Sequence, residues 1–278
     1  MGKLATLQGG ATRTGAMSTL GAPSILWKAF DVLGAFRADR RVLTFAEVSR
    51  ASGLPKSTTH RVLAMLLEMG AVERHGHGYR IGLRIFAMGS CSAEVALRDV
   101  ALPVLQEVHR VTRQTVHLAV LRSGDVVYIE KLRTRVTLPT PAVVGERLPA
   151  HCTAIGKSLL TTRAVADMVR APLPARTRRS IVDPAILQRE LALSRSRGFA
   201  VDREECVDGL ACLAVPIHAH GVAVAGVSVA FPAAAGNGEV MISTLRTAAA
   251  RIGRALPATL VAGLCADEGA DEAAVAGQ

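Results

Sequence analysis

The sequence predicts an α+β protein of two domains: an N-terminal winged helix-turn-helix, a linking helix, and a C-terminal α/β domain on a mostly antiparallel sheet. Three observations carry this. Apolar residues recur at helical spacing from Ser24 to about Tyr79, with short polar breaks. From about Val116 onward, strand-like runs alternate with helical ones. The length, 278 residues with half of them apolar, suffices for two cores.

Taken in order, residues 1–22 are Gly/Thr/Ala-rich and aperiodic, and read as a flexible tail. Ser24 after Pro23 suits an N-cap, and the helix behind it places Ile25, Ala29, Val32, Leu33 and Phe36 on one face. Thr44 and Glu47 have the spacing of a capping box, and Gly53 can close that short helix in a left-handed conformation. Pro55 suits the first turn of the next helix, which ends at Gly70. Val62, Leu66 and Met69, with Leu63 and Leu67, form its apolar stripe; Lys56, Ser57, Thr58 and Arg61 lie away from it. "AVERHGHGYRIG" then alternates around a Gly-containing reversal, as a β-hairpin does. Helix, short helix, tight turn, helix and hairpin over 23–83 is the winged helix-turn-helix order, in which the second helix of the pair enters the major groove. Residues 24–84 hold ten Lys/Arg against five Asp/Glu, a net +5.

Residues 84–97 read as the linking helix. The second domain, 98–256, opens with a helix at "RDVALPVLQEVHRVTRQ". Strands follow at "TVHLAVL" and "VVYIEKL", joined by the turn "RSGD"; then a helix at "PAILQRELALSRSRG", strands "LACLAVPIH" and "VAVAGVSVAF", and a last helix near 238–256. Residues 257–278 are small and acidic, and read as a second flexible tail.

The net charge of +10 and pI of about 10.1 point to an acidic partner, nucleic acid first. Aromatics are only 3% of the chain, which disfavours single-strand and RNA platforms and favours a duplex. Five cysteines without a C-x-x-C argue against a disulfide framework or zinc knuckle and suit a reducing cytoplasm. No apolar run approaches the ~20 residues of a membrane span, and the N-terminus lacks a signal core. A soluble, cytoplasmic protein with no membrane partner is expected.

"LPAHCTAIGKSLL", Leu148 to Leu160, resembles the end of a phosphate-binding loop, but the glycine required five positions before Gly156 is His151. Free N–H groups at a helix start would still suit an anion. His151 and Cys152 are adjacent, and neighbours on an extended segment point opposite ways, so no catalytic residue is assigned. Asp202, Glu204, Glu205, Cys206 and Cys212 are irregularly spaced, and His218 and His220 are split by a turn. No metal or cofactor is expected, and Glu204 and Glu205 read as solvated.

"LTFAEVSRASGLPKSTTHRVLAMLLEMG" with "YRIG", then "TVHLAVLRSGDVVYIEK", "LPAHCTAIGKSLL" and "GFAVDREECVDGLACLAVPI", stand in the order found in IclR-type transcriptional regulators. The chain resembles that family over roughly residues 24–256. Lys28 departs from the family's usual Arg, beside an uncommon Trp27. The resemblance implies a linker helix used in dimerisation, a GAF-like effector domain, and a homodimer or dimer of dimers. Backbone amides near Ala154 and Ile155 would face a small organic anion, with Asp202, Cys212 and Ser228 as other walls. Ala230 stands where relatives have a second serine. Ionised Asp202 is awkward beside an anion; it would accept a ligand hydroxyl or amine, or be neutral.

On the DNA side the candidate contacts are Thr44, Lys56, Ser57, Thr58, Arg61, Tyr79 and Arg80. Arg61 would read a guanine or neutralise a phosphate, and Tyr79 has hairpin packing as an alternative. The expected partners are double-stranded DNA with a palindromic operator, because a two-fold dimer presents two equivalent helices, and a carboxylate or aromatic-acid effector. The competing reading is a small-molecule enzyme or sensor whose N-terminal domain is only an interaction module.

Overall fold

The computed structural model describes residues 24–134, 140–162, 173–235 and 238–265. The 1–22 tail therefore lies outside the described residues, as does 266–278. The chain forms two compact units that divide between Phe86 and Ala87.

In the first unit, α1 (Ile25–Leu33), α2 (Phe45–Ser52) and α3 (Lys56–Glu68) precede a hairpin of β1 (Val72–His75) and β2 (Gly78–Ile81). The capping box forms as its spacing predicts: the Thr44 hydroxyl accepts from the Glu47 N–H, and the Glu47 carboxylate accepts from the Thr44 N–H at 2.9 Å. Gly53 ends α2 at φ 67°, the left-handed cap that a residue without Cβ tolerates. Val32, Leu43, Val48, Val62, Leu63, Leu66 and Val72 form the core. Two expectations need correction. Met69 is exposed rather than part of the buried stripe, and Ile25 is exposed rather than on the inner face of α1. Ser24 holds the N-cap position without a side-chain capping bond.

The helix α4 (Leu83–Gly89) crosses the division, and α5 (Ala93–Thr112) follows. The expected linking helix over 84–97 is therefore broken after Gly89. Ser92 restarts the chain as an N-cap, its hydroxyl accepting from the Val95 N–H.

The second unit is a six-stranded antiparallel sheet in the order β5-β4-β3-β8-β7-β6. Its strands are β3 (Thr115–Arg122), β4 (Asp125–Leu132), β5 (Arg147–Pro149), β6 (Ala200–Arg203), β7 (Leu210–Ala219) and β8 (Val222–Pro232). Both faces are covered, which explains why "TVHLAVL" is apolar without clean alternation. Val116, Leu118 and Val120 pack with α5, α8 (Ile242–Ala255) and α9 (Ala258–Cys265). Ala119 and Leu121 face α6 (Ala154–Leu160) and α7 (Pro184–Arg197). Helix α9 corrects the tail expected from residue 257: Val261 and Leu264 are buried in the core.

Candidate DNA-binding face and effector cavity

On α3, Lys56, Ser57 and Arg61 are exposed and Thr58 is half-buried, while Thr59 turns inward and donates to Leu54 O and Pro55 O. Lys56, Ser57, Thr58 and Arg61 make no side-chain hydrogen bond or ion pair among the described residues. This leaves one cationic, hydrogen-bonding edge of the helix open to a partner. Thr44 is exposed, but its hydroxyl is already used in the capping box. Arg80 is exposed and paired with Glu73 at 2.8 Å. The Leu83 N–H and then Arg80 hold the Glu73 carboxyl below its ordinary range.

Tyr79 does not share this exposure. It is 9% exposed, its backbone is bridged both ways to Leu43, and its ring lies under the Arg74 guanidinium at 5.4 Å. Its side chain is a packing element of the wing, the alternative its place on the hairpin left open.

In the second unit, strand register builds a cavity floor on the face toward α6. One row across the sheet is Asp202–Cys212–Ala230–Thr115, and the next is Ala214–Ser228–His117–Lys131. Ala154 and Ile155 at the start of α6 form the opposite wall, so all five predicted effector residues line one cavity of about 20 Å³. His117, Tyr128, Thr140, Pro141, Thr153 and Cys206 also line it. That volume admits about one water molecule, so an organic acid enters only if the walls move apart.

The wall at α6 works locally. Thr153 caps the helix, accepting from the Gly156 N–H at 3.1 Å. The N–H groups of Ala154 and Ile155 have no hydrogen-bond partner among the described residues. With seven residues, α6 offers these donors rather than a developed helix dipole. Gly156 has a packing reason: a Cβ there would stand 2.2 Å from Ala150 O.

Behind the cavity lies a charge cluster that local sequence did not reveal. Lys157 is fully buried and donates to Glu205 at 2.6 Å, with Glu190 at 3.9 Å. Glu205 is therefore a buried ion-pair partner and not a solvated residue, and its Oε2 has no partner. Asp202 accepts from the N–H groups of Glu205 at 2.7 Å and Cys206 at 3.4 Å. Burial, then the Glu205 charge, raise its pKa to about 7. His117 is pushed down to about 3 by burial and then by Lys131. Lys131, itself lowered to about 8 by burial and Arg133, donates to Thr140 O and Ala142 O and so anchors that stretch to β4.

His151 and Cys152 engage different groups: the imidazole meets Pro174 O at 3.0 Å, and the thiol donates to Pro149 O. A hydrogen bond with Cys206, then burial, raise the Cys152 pKa, which keeps it a thiol. All five cysteines are free. No three His, Cys, Asp or Glu side chains converge as metal ligands among the described residues.

Two family models match the chain. The IclR helix-turn-helix domain covers residues 26–76, and the bacterial transcriptional regulator IclR C-terminal domain covers 90–254. The chain belongs to the IclR family. Among its relatives, the HTH-type transcriptional regulator KdgR of Escherichia coli is 32% identical over 241 residues, 82% of this chain and 91% of KdgR. The transcriptional repressor IclR of the same organism is 30% identical over 200 residues, 68% of this chain and 73% of the repressor. An IclR homolog of Microbacterium hydrocarbonoxydans, solved with 4-hydroxybenzoate, superposes with a TM-score of 0.77 at 31% identity, covering 84% of this chain and 99% of its own. The Thermotoga maritima IclR gives 0.69 at 30% identity, covering 82% and 97%. This IclR-family chain is a DNA-binding transcriptional regulator with a helix-turn-helix domain and an effector-binding domain. The relatives named are regulators, so the chain sits in a regulatory family rather than an enzyme family.

Proposed function

We propose that this regulator acts in the cytoplasm as a homodimer or dimer of dimers on a palindromic operator, and that an organic acid bound in the second unit changes its operator affinity. The observation carrying the DNA half is the open edge of α3, where Lys56, Ser57 and Arg61 are exposed and uncommitted on a helix whose other face is core. The dimer is supported by large apolar side chains left exposed: Leu26, Trp27 and Phe30 on α1, and Leu83, Phe86 and Met88 on α4. On α1, Leu26 and Phe30 stand one helical turn apart, an exposed apolar pair that a second copy would cover. No helix among the described residues is long and apolar enough to cross a membrane, in keeping with a DNA-associated role.

The ligand reading rests on the convergence of Ala154, Ile155, Asp202, Cys212 and Ser228 on one cavity. The relative solved with 4-hydroxybenzoate makes a small aromatic acid the first class to try. Because the cavity, at about 20 Å³, is smaller than an organic acid, a bound acid must favour an arrangement with its walls apart. That difference in affinity between two arrangements is what lets a ligand shift operator binding.

Arg61→Ala is expected to weaken operator binding about tenfold or more at fixed salt. If Arg61 reads a guanine, the loss falls on the operator and spares unrelated duplexes. If it neutralises a phosphate, all duplexes lose equally and the salt dependence drops by about one charge. Fluorescence-anisotropy titrations at several salt concentrations separate these, and unchanged affinity throughout removes Arg61 from the interface.

A further inference from the structure

We propose that His117 is a ligand-reading residue of the effector cavity, and that the acid it selects carries a hydroxyl group. The inference rests on the effector reading of that cavity and adds the identity of a second recognised group.

His117 was not among the residues drawn from the motifs. It sits mid-strand in β3, directly opposite Ser228 on β8, and lines the cavity at 3% exposure. Its Nδ1 lies 3.4 Å from the Ser228 Oγ, and its Nε2 has no hydrogen-bond partner. A polar nitrogen held out of water and unpaired is disfavoured, and folded proteins leave few such atoms unless something else meets them. The edge-to-face contact with Tyr128, ring centres 5.3 Å apart, fixes the ring's orientation. In the neighbouring row, Ala230 offers no hydroxyl between Cys212 and Thr115. On this part of the floor the Ser228–His117 pair offers a ligand a hydrogen-bonding group, beside the Asp202 carboxyl of the neighbouring row.

The chemistry of the ring narrows what it takes. Burial keeps the imidazole neutral, so it does not serve as the cation for a carboxylate. If Nδ1–H donates to Ser228, Nε2 is an acceptor; if Ser228 donates to Nδ1, Nε2 carries the proton and donates. A hydroxyl satisfies either tautomer, because it both donates and accepts. A carboxylate satisfies only one, and a hydrocarbon edge satisfies neither. The acid's hydroxyl thus belongs at His117, with its carboxylate elsewhere in the cavity.

The test uses the full-length protein and calorimetric titration with matched acids differing by one hydroxyl: 4-hydroxybenzoate with benzoate, and lactate with propionate. The expected result is a preference of about tenfold or more for the hydroxy member of at least one pair. His117→Phe keeps an aromatic ring and removes the nitrogens; it should bring that ratio close to one, whatever it does to the affinity for either acid alone. Ser228→Ala, a smaller change in case His117→Phe folds poorly, should shrink the ratio in the same direction. Binding without any hydroxyl preference, or a preference that survives both substitutions, overturns the role of His117 and leaves the effector reading standing. Failure of the wild-type protein to bind any of the four acids overturns both, and the two failures are thereby told apart.

Discussion

Lys157→Met is expected to destabilise the effector-binding unit by about 3–5 kcal/mol near neutral pH. The lysine is fully buried and its ammonium meets Glu205 Oε1 at 2.6 Å. Methionine fills similar space but leaves the Glu205 carboxylate in a dry setting, with one oxygen already lacking a partner. The loss measures the stranding of a charge, not the net worth of the pair. The double substitution Lys157→Met with Glu205→Gln removes both charges and should recover much of the loss. Urea unfolding followed by circular dichroism checks this through the transition of the second unit. A double variant as unstable as the two single losses added together would show that the residues do not act as a pair.

The second large effect is a pH dependence at Asp202. Its carboxyl has a pKa of about 7 in the fold, against an ordinary value of 3.8. Below both values the group is protonated in folded and unfolded chains and costs nothing. As pH rises between them, the unfolded chain releases the proton while the fold retains it, so stability falls and levels off above about 7. The span corresponds to roughly 4 kcal/mol. Asp202→Asn keeps an oxygen to accept from the Glu205 and Cys206 N–H groups, yet cannot ionise. The variant should therefore melt higher than the wild type at pH 8, with the gap closing toward pH 4–5. A gap that stays constant across that range would contradict the buried, late-titrating carboxyl.

Local chemistry explains what was legible in the sequence. Thr44, Glu47 and Gly53 announced α2 because capping depends on residues three to nine positions apart. The effector residues were legible only through family motifs, since strand register brings Asp202, Cys212 and Ser228 together across β6, β7 and β8. Features that depend on distant pairing were hidden. Glu205 looks solvated until Lys157, 48 positions away, meets it. His117 lies in a strand apolar on both faces, so alternation could not say which neighbours it had. For Tyr79 the sequence offered both DNA contact and hairpin packing, because the Leu43 bridge that covers it is non-local. Helix α9 was missed because an acidic, small-residue ending masked a buried Val261 and Leu264.

The central claim is that α3 reads a particular duplex, and one titration addresses it most directly: anisotropy of the full-length protein at physiological salt, on DNA from its own promoter region and on the same DNA scrambled. The account predicts that the native duplex binds at least about a thousandfold more tightly. Equal affinity for both duplexes, erased by modest salt, would contradict it.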